Sequence, residues 1–190
     1  MNNKYLLSAL ATLLVAGVAL PAAAQQKLLP AQSELTFVAK QMGVPVSGQF
    51  KRFDAQVSFD ATKLASSKVS FTVDMGSATM GNVEADSALP TLPWFNAPKF
   101  PQATFTSSGF KALGAGKYEL AGQLSIKGQA REVVVPLSMT QAGAVTVASG
   151  VLPIKRLAFK IGEGDWADTS MVADDVQVKF KLALSGVAKL

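Results

Sequence analysis

Asn82 to Phe105, NVEADSALPTLPWFNAPKFPQATF, is the stretch whose reading decides the fold. It carries Pro90, Pro93, Pro98 and Pro101 and does not alternate, whereas the sequence on both sides reads as polar and apolar residues in turn, the period-2 mark of half-buried strands. Proline removes a ladder donor and fixes φ, so these residues do not sit inside a central strand. The Trp94-Phe95 pair between them is too apolar for a freely solvated loop, and the segment is expected to fold back and pack on a sheet. Residues 82–89 hold no glycine or proline and predict two helical turns, capped by Asn82 or a neighbour and ended by Pro90.

Outward from this interruption the chain reads as strand after strand. Residues 33–39 place Leu35, Phe37 and Ala39 on one face, and 43–45 read as a turn or bulge. Residues 46–59 make a long strand or bent pair with Phe53, Ala55, Val57 and Phe59 on one side. Further strands are expected over 69–75, 103–106, 118–126, 132–139, 145–152, 157–161 and 176–184, separated by short glycine-bearing turns at 114–116 and 127–128 and by an acidic loop over 162–175. About eight or nine strands, each with one apolar face and no βα alternation, give an all-β protein, either a closed antiparallel barrel or a sandwich. Closure removes sheet edges and favours the barrel.

The start of the chain has another character. Lys4, an apolar run from Leu6 to Leu20 and Ala22-Ala23-Ala24 before Gln25 read as a cleavable secretory signal over residues 1–24, with the mature domain over 25–190. That leaves 166 residues, 190 less 24, the size of one domain. The mature domain is expected to be secreted. The chain has no cysteine, so stability has to come from a hydrophobic core rather than from disulfides. Without Lys4 the charge is 17 basic against 13 acidic residues, and the basic side chains are scattered, which excludes a nucleic-acid surface.

Catalysis finds little support. There is no histidine and no cysteine, which removes the usual general base near neutral pH, the thiol nucleophile and the commonest zinc ligands. Residues 162–170, GEGDWADTS, lack the spacing of a calcium loop and read as a solvated connection. Haem has no ligand set, and Ser125 with Lys127 has no visible oxyanion site. No catalytic residue, metal or cofactor is expected.

Alternation assigns an inward face of Phe37, Val57, Phe59, Phe71, Val73, Phe105, Leu124, Ile126, Val135, Leu137, Phe159, Val178 and Phe180. Trp94 and Phe95 close one end, as a lid or as a packing plug. An eight-stranded barrel either fills with such side chains or holds one apolar ligand, and the residues alone leave both readings open.

The ordered set of residues 33–37, Val46-Ser47-Gly48-Gln49-Phe50 with Phe53 and Phe59-Asp60, Trp94-Phe95-Asn96 with Lys99-Phe100-Pro101 and Thr104-Phe105, GQLSIKG over 122–128, and residues 176–184 resembles the YceI-like family across nearly the whole mature chain. The resemblance implies a periplasmic or secreted lipocalin-like barrel of about eight strands, with the periplasm as the expected location, whose apolar cavity takes a polyisoprenoid, quinone-like or other amphiphilic lipid, acting as a carrier or scavenger rather than an enzyme. It also marks a departure: Ala85 and Ala88 stand where family members usually have an arginine and a histidine, while Asn82, Asp86 and Leu89 are retained. Partners beyond a long-chain lipid are a membrane surface or an envelope protein, the latter also being the expectation for a filled barrel. Oligomeric state is left open.

Overall fold

The computed structural model describes residues 25–190; the signal segment read over 1–24 lies outside the described residues. Eight antiparallel strands form an up-and-down meander. β1 is Lys27–Leu28 with Glu34–Gln41, β2 is Val44–Phe50 with Phe53–Ser58, and β3 is Lys68–Asp74 with Ala78–Thr79. β4 is Gln102–Gly114, β5 Lys117–Ile126, β6 Gln129–Ala142, β7 Val145–Lys155 and β8 Asp175–Ser185. Each strand pairs with its neighbours in sequence. β8 runs along β7 from Val145↔Ser185 to Lys155↔Asp175 and on its other side pairs with both pieces of β1, as in Phe180↔Leu35 and Leu28↔Leu184. The sheet is therefore a closed barrel.

The helix reading holds. α1 spans Val83–Ala88, and Asn82 Oδ1 accepts the Ala85 N–H at 3.0 Å, satisfying one of the free donors at a helix start. Asp86 ties the helix back to β3, its two oxygens accepting from the Thr79 hydroxyl and the Met80 N–H, both at 2.6 Å. These bonds, the Thr79 hydroxyl first, hold its carboxyl below the usual aspartate range.

Two strand expectations are corrected. β4 extends well past 106 to Gly114, through a bulge between Ser107 and Gly109. Residues 157–161 are not a strand: pairing of β7 with β8 ends at Lys155↔Asp175, and Arg156–Phe159 forms a 3₁₀ turn closed by left-handed Lys160. Alternation over five residues cannot distinguish a strand from a tight turn that buries every third side chain.

Meander topology sorts the connections to two ends. The 42–43 turn, the 80–101 segment, the 127–128 turn and the 156–174 loop share one end. The turns at 114–116 and 142–144, residues 59–67 and the C-terminal tail share the other. The buried apolar side chains form two clusters, one holding Phe59, Tyr118, Leu137 and Leu184, the other Leu35, Phe95, Ile154 and Phe159.

Three phenylalanines of the inward face stand against glycines. The rings of Phe37, Phe105 and Phe180 reach over Gly48, Gly122 and Gly150 on adjoining strands, and a methyl group added at any of these glycines collides with the ring. Aromatic rings laid over strand glycines cover backbone that has no side chain of its own. Gly48→Val is expected to lift Phe37 off the wall and lower stability by about 1–3 kcal/mol, the usual cost of overpacking, read as a lower urea midpoint.

Candidate functional site

The barrel encloses an elongated cavity of about 590 Å³. Of the residues assigned to its wall from sequence, Phe37, Val57, Phe59, Phe71, Val73, Trp94, Phe95, Phe105, Leu124, Ile126, Val135, Leu137, Val178 and Phe180 line it. Phe159 is the correction: it is 2% exposed in the 3₁₀ turn and packs in the core cluster at the mouth end without reaching the cavity. Leu120 and Met139 also line the cavity and follow from the same alternation. Trp166 lines it too, from a loop whose sequence carries no periodic signal.

The proline segment forms a cap with its own hydrogen bonds. Phe95 N–H donates to Leu89 O at 3.0 Å, Asn96 N–H to Thr91 O at 2.8 Å and Ala97 N–H to Pro90 O at 3.0 Å. The ring of Phe95 packs on Phe50, centroids 5.9 Å apart. Trp94 meets Trp166 at 5.3 Å, so both tryptophans of the chain stand together where the cap touches the 156–174 loop. That loop is more than a solvated connection: Gly164–Ala167 is a 3₁₀ turn, Val172 is buried, and the Gly162 and Glu163 N–H groups both donate to Pro93 O.

Two buried cations hold this end together. Lys127 sits in the tight turn between β5 and β6 at φ 48°, a left-handed conformation unusual for a lysine. Its side chain is 4% exposed. Nζ donates to Leu92 O at 2.7 Å, Lys160 O at 2.6 Å and Glu163 Oε2 at 2.8 Å, so that one ammonium joins the β5–β6 turn, the cap and the loop. The Lys127 hydrogen bond holds the Glu163 carboxyl below its usual range. All three donors of the ammonium are engaged, which leaves it unable to serve Ser125 as a base.

Arg156 is 2% exposed and borders the cavity. Its guanidinium donates only to main-chain oxygens: Nε to Ala173 O at 3.1 Å, Nη1 to Ile161 O at 2.9 Å and Gly162 O at 3.0 Å, and Nη2 to Val172 O at 2.6 Å. Burial presses its pKa down, opposed by nearby Asp174. Gly162, at φ 77°, leaves the space the guanidinium occupies, since a Cβ there would strike it. Neither cation was assigned this role from sequence, because a clamp built from main-chain oxygens has no side-chain motif to recognise.

The remaining polar side chains on the wall are Gln41, Asn82 and Glu84. Ala85 and Ala88 also line it, so their small side chains widen the cavity instead of adding a cation or an imidazole. No group of three or more acidic residues that could hold a metal ion occurs among the described residues. The arrangement can enclose an apolar chain and offer a few hydrogen bonds.

Comparison with known proteins agrees with this geometry. The YceI-like domain family matches residues 27–184. A UPF0312 protein of Azotobacter vinelandii is 35% identical over 88 residues, and the match spans about half of each chain, 46% in both cases. The crystal structure of Burkholderia cenocepacia BcnA is 46% identical, covers 82% of this chain and 98% of its own, and superposes with a TM-score of 0.80. A domain from Saccharophagus degradans, described as polyisoprenoid binding and implicated in plant cell wall breakdown, shares the fold with a TM-score of 0.70 at 17% identity, over 85% of this chain and 98% of that one.

Lys127→Met is expected to cost about 2 kcal/mol by leaving Leu92 O and Lys160 O without their donor, with faster amide exchange at Gly162 and Glu163. The pair with Glu163 also sets a pH dependence. A carboxyl whose folded pKa lies below its reference value of 4.5 stabilises the fold above that value and loses the contribution as pH falls through the lowered folded pKa. Protection of these amides relative to the unstructured chain is therefore expected to hold down to about pH 5 and to fall below it, and Glu163→Gln is expected to flatten that dependence.

Proposed function

The chain belongs to the YceI-like family, and on that premise we propose that it is a non-catalytic binding protein that takes up a polyisoprenoid, quinone-like or other long amphiphilic lipid in its barrel, as a carrier or scavenger in the periplasm. The observation that carries this reading is the apolar cavity inside the closed barrel. A tightly packed interior leaves few voids larger than a water molecule, whereas about 590 Å³ lies within the range of small-molecule sites. An apolar chain gains about 0.8 kcal/mol for each buried CH₂, so binding needs no strong polar contact. The polyisoprenoid-binding description of the Saccharophagus domain supports the ligand class, and the signal-like residues 1–24 support the location. Non-catalytic action is supported by the absence of histidine and cysteine and by the engagement of Lys127 in the clamp.

Native mass spectrometry of protein purified from the periplasm, with an organic extract of the same sample, tests this. The expected result is a mass excess over the chain from Gln25 that extracts as an isoprenoid or quinone. Because the chain's two tryptophans meet at the mouth, added quinone is also expected to quench their fluorescence. An apo mass together with no binding of added polyprenol or quinone overturns the proposal in favour of a barrel acting through its surface. In folded Phe71→Glu or Phe180→Glu, binding is expected to weaken by about a hundredfold or more, since the new carboxylate faces the bound chain without a partner.

A further inference from the structure

We infer that Phe59 is the stop that sets the length of lipid chain the barrel encloses. This rests on the lipid reading above and adds to it a residue and a chain-length class. The cavity runs from the capped end down to Phe59 and Phe110, and beyond these rings the closed end of the barrel holds a second cleft, bordered by Ser67, Gln141, Gly186 and Val187. Phe59 is the residue common to both walls, so its ring is the partition between them. It is 3% exposed, and it is braced from two sides, with Phe110 and Tyr118 each at a centroid distance of 5.4 Å.

Its backbone is fixed as well. Phe59 lies just past the end of β2, where ladder bonds no longer hold it, and the Gln26 amide takes their place: Nε2 donates to Phe59 O at 2.7 Å and Oε1 accepts the Phe59 N–H at 2.8 Å. A ring held through its main chain and wedged between two aromatics does not swing aside for an entering chain. Phe59 therefore stands fixed between the cavity and the second cleft.

The space above the ring sets the class of ligand. At about 30 Å³ for each water-sized group, a cavity of about 590 Å³ takes about twenty carbons, the size of four isoprene units. A longer polyisoprenoid leaves its remaining units and its head at the mouth, among Trp94, Trp166, Gln41 and Asn82.

A graded series of polyprenols, from geraniol through geranylgeraniol to solanesol, tests this by competition for the wild-type protein and for Phe59→Ala. Each newly buried methylene is worth about fourfold in affinity. Wild-type affinity is expected to climb to geranylgeraniol and then level, whereas Phe59→Ala, with the partition removed, continues to gain and binds solanesol at least about tenfold tighter than geranylgeraniol. If Phe59→Ala does not fold, Phe110→Ala decides, since it opens the same floor from β4 and is expected to move the plateau by about one isoprene unit. A folded variant with the wild-type length profile overturns the assignment of the stop, as does a wild-type profile that still climbs at solanesol. Failure of every polyprenol to bind the wild-type protein overturns the stop, and failure of added quinone as well overturns the lipid reading with it.

Discussion

Pairing of β8 with β7 on one side and with both pieces of β1 on the other is the constraint on which the rest of the structure depends. A sheet of eight strands left open would expose two rows of unpaired backbone groups. Once it closes, every strand has an inside and an outside, and the inward side chains face one another across a shared space. The three breaks, in β1 after Leu28, in β2 at Lys51-Arg52 and in β3 at residues 75–77, let these strands turn around the wall without losing their partners.

Closure alone would allow a filled core. Around the hollow interior, three of the largest inward side chains stand against glycines rather than against other side chains. Phe37, Phe105 and Phe180 lie over glycines on adjoining strands and become part of the wall. The same phenylalanines over larger residues would be pushed inward and would occupy the space themselves. Core density is thus kept within the wall while the centre is left open.

The mouth is held by different forces. The cap over residues 89–100 and the 156–174 loop bury Leu89, Phe95, Phe159 and Ile161 in the core cluster at this end, and in addition their carbonyl groups converge on two buried cations. Lys127 and Arg156 are favourable there because each is nearly saturated with main-chain acceptors, and hydrogen bonds to a charged donor are about twice as strong as neutral ones. The left-handed conformation at Lys127 is the local strain that accompanies this arrangement. Rigid walls and a clamped mouth give a cavity of defined shape rather than a soft interior.

The sequence by itself determined the strands, the helix capped by Asn82 and the inward faces, because the side-chain period of a strand is two and a closed sheet turns every member of one face the same way. Hence fourteen wall residues were legible, and so was the cap that interrupts the pattern. Phe159 was misplaced because a 3₁₀ turn briefly imitates alternation. Only the tertiary structure decided whether the inward face fills or surrounds its space, since that depends on which ring lies over which glycine on another strand. It also decided the clamps at Lys127 and Arg156, whose partners are main-chain oxygens brought from distant segments. Main-chain oxygens are the same at every residue, so nothing in one dimension marks the ones that will meet a buried cation.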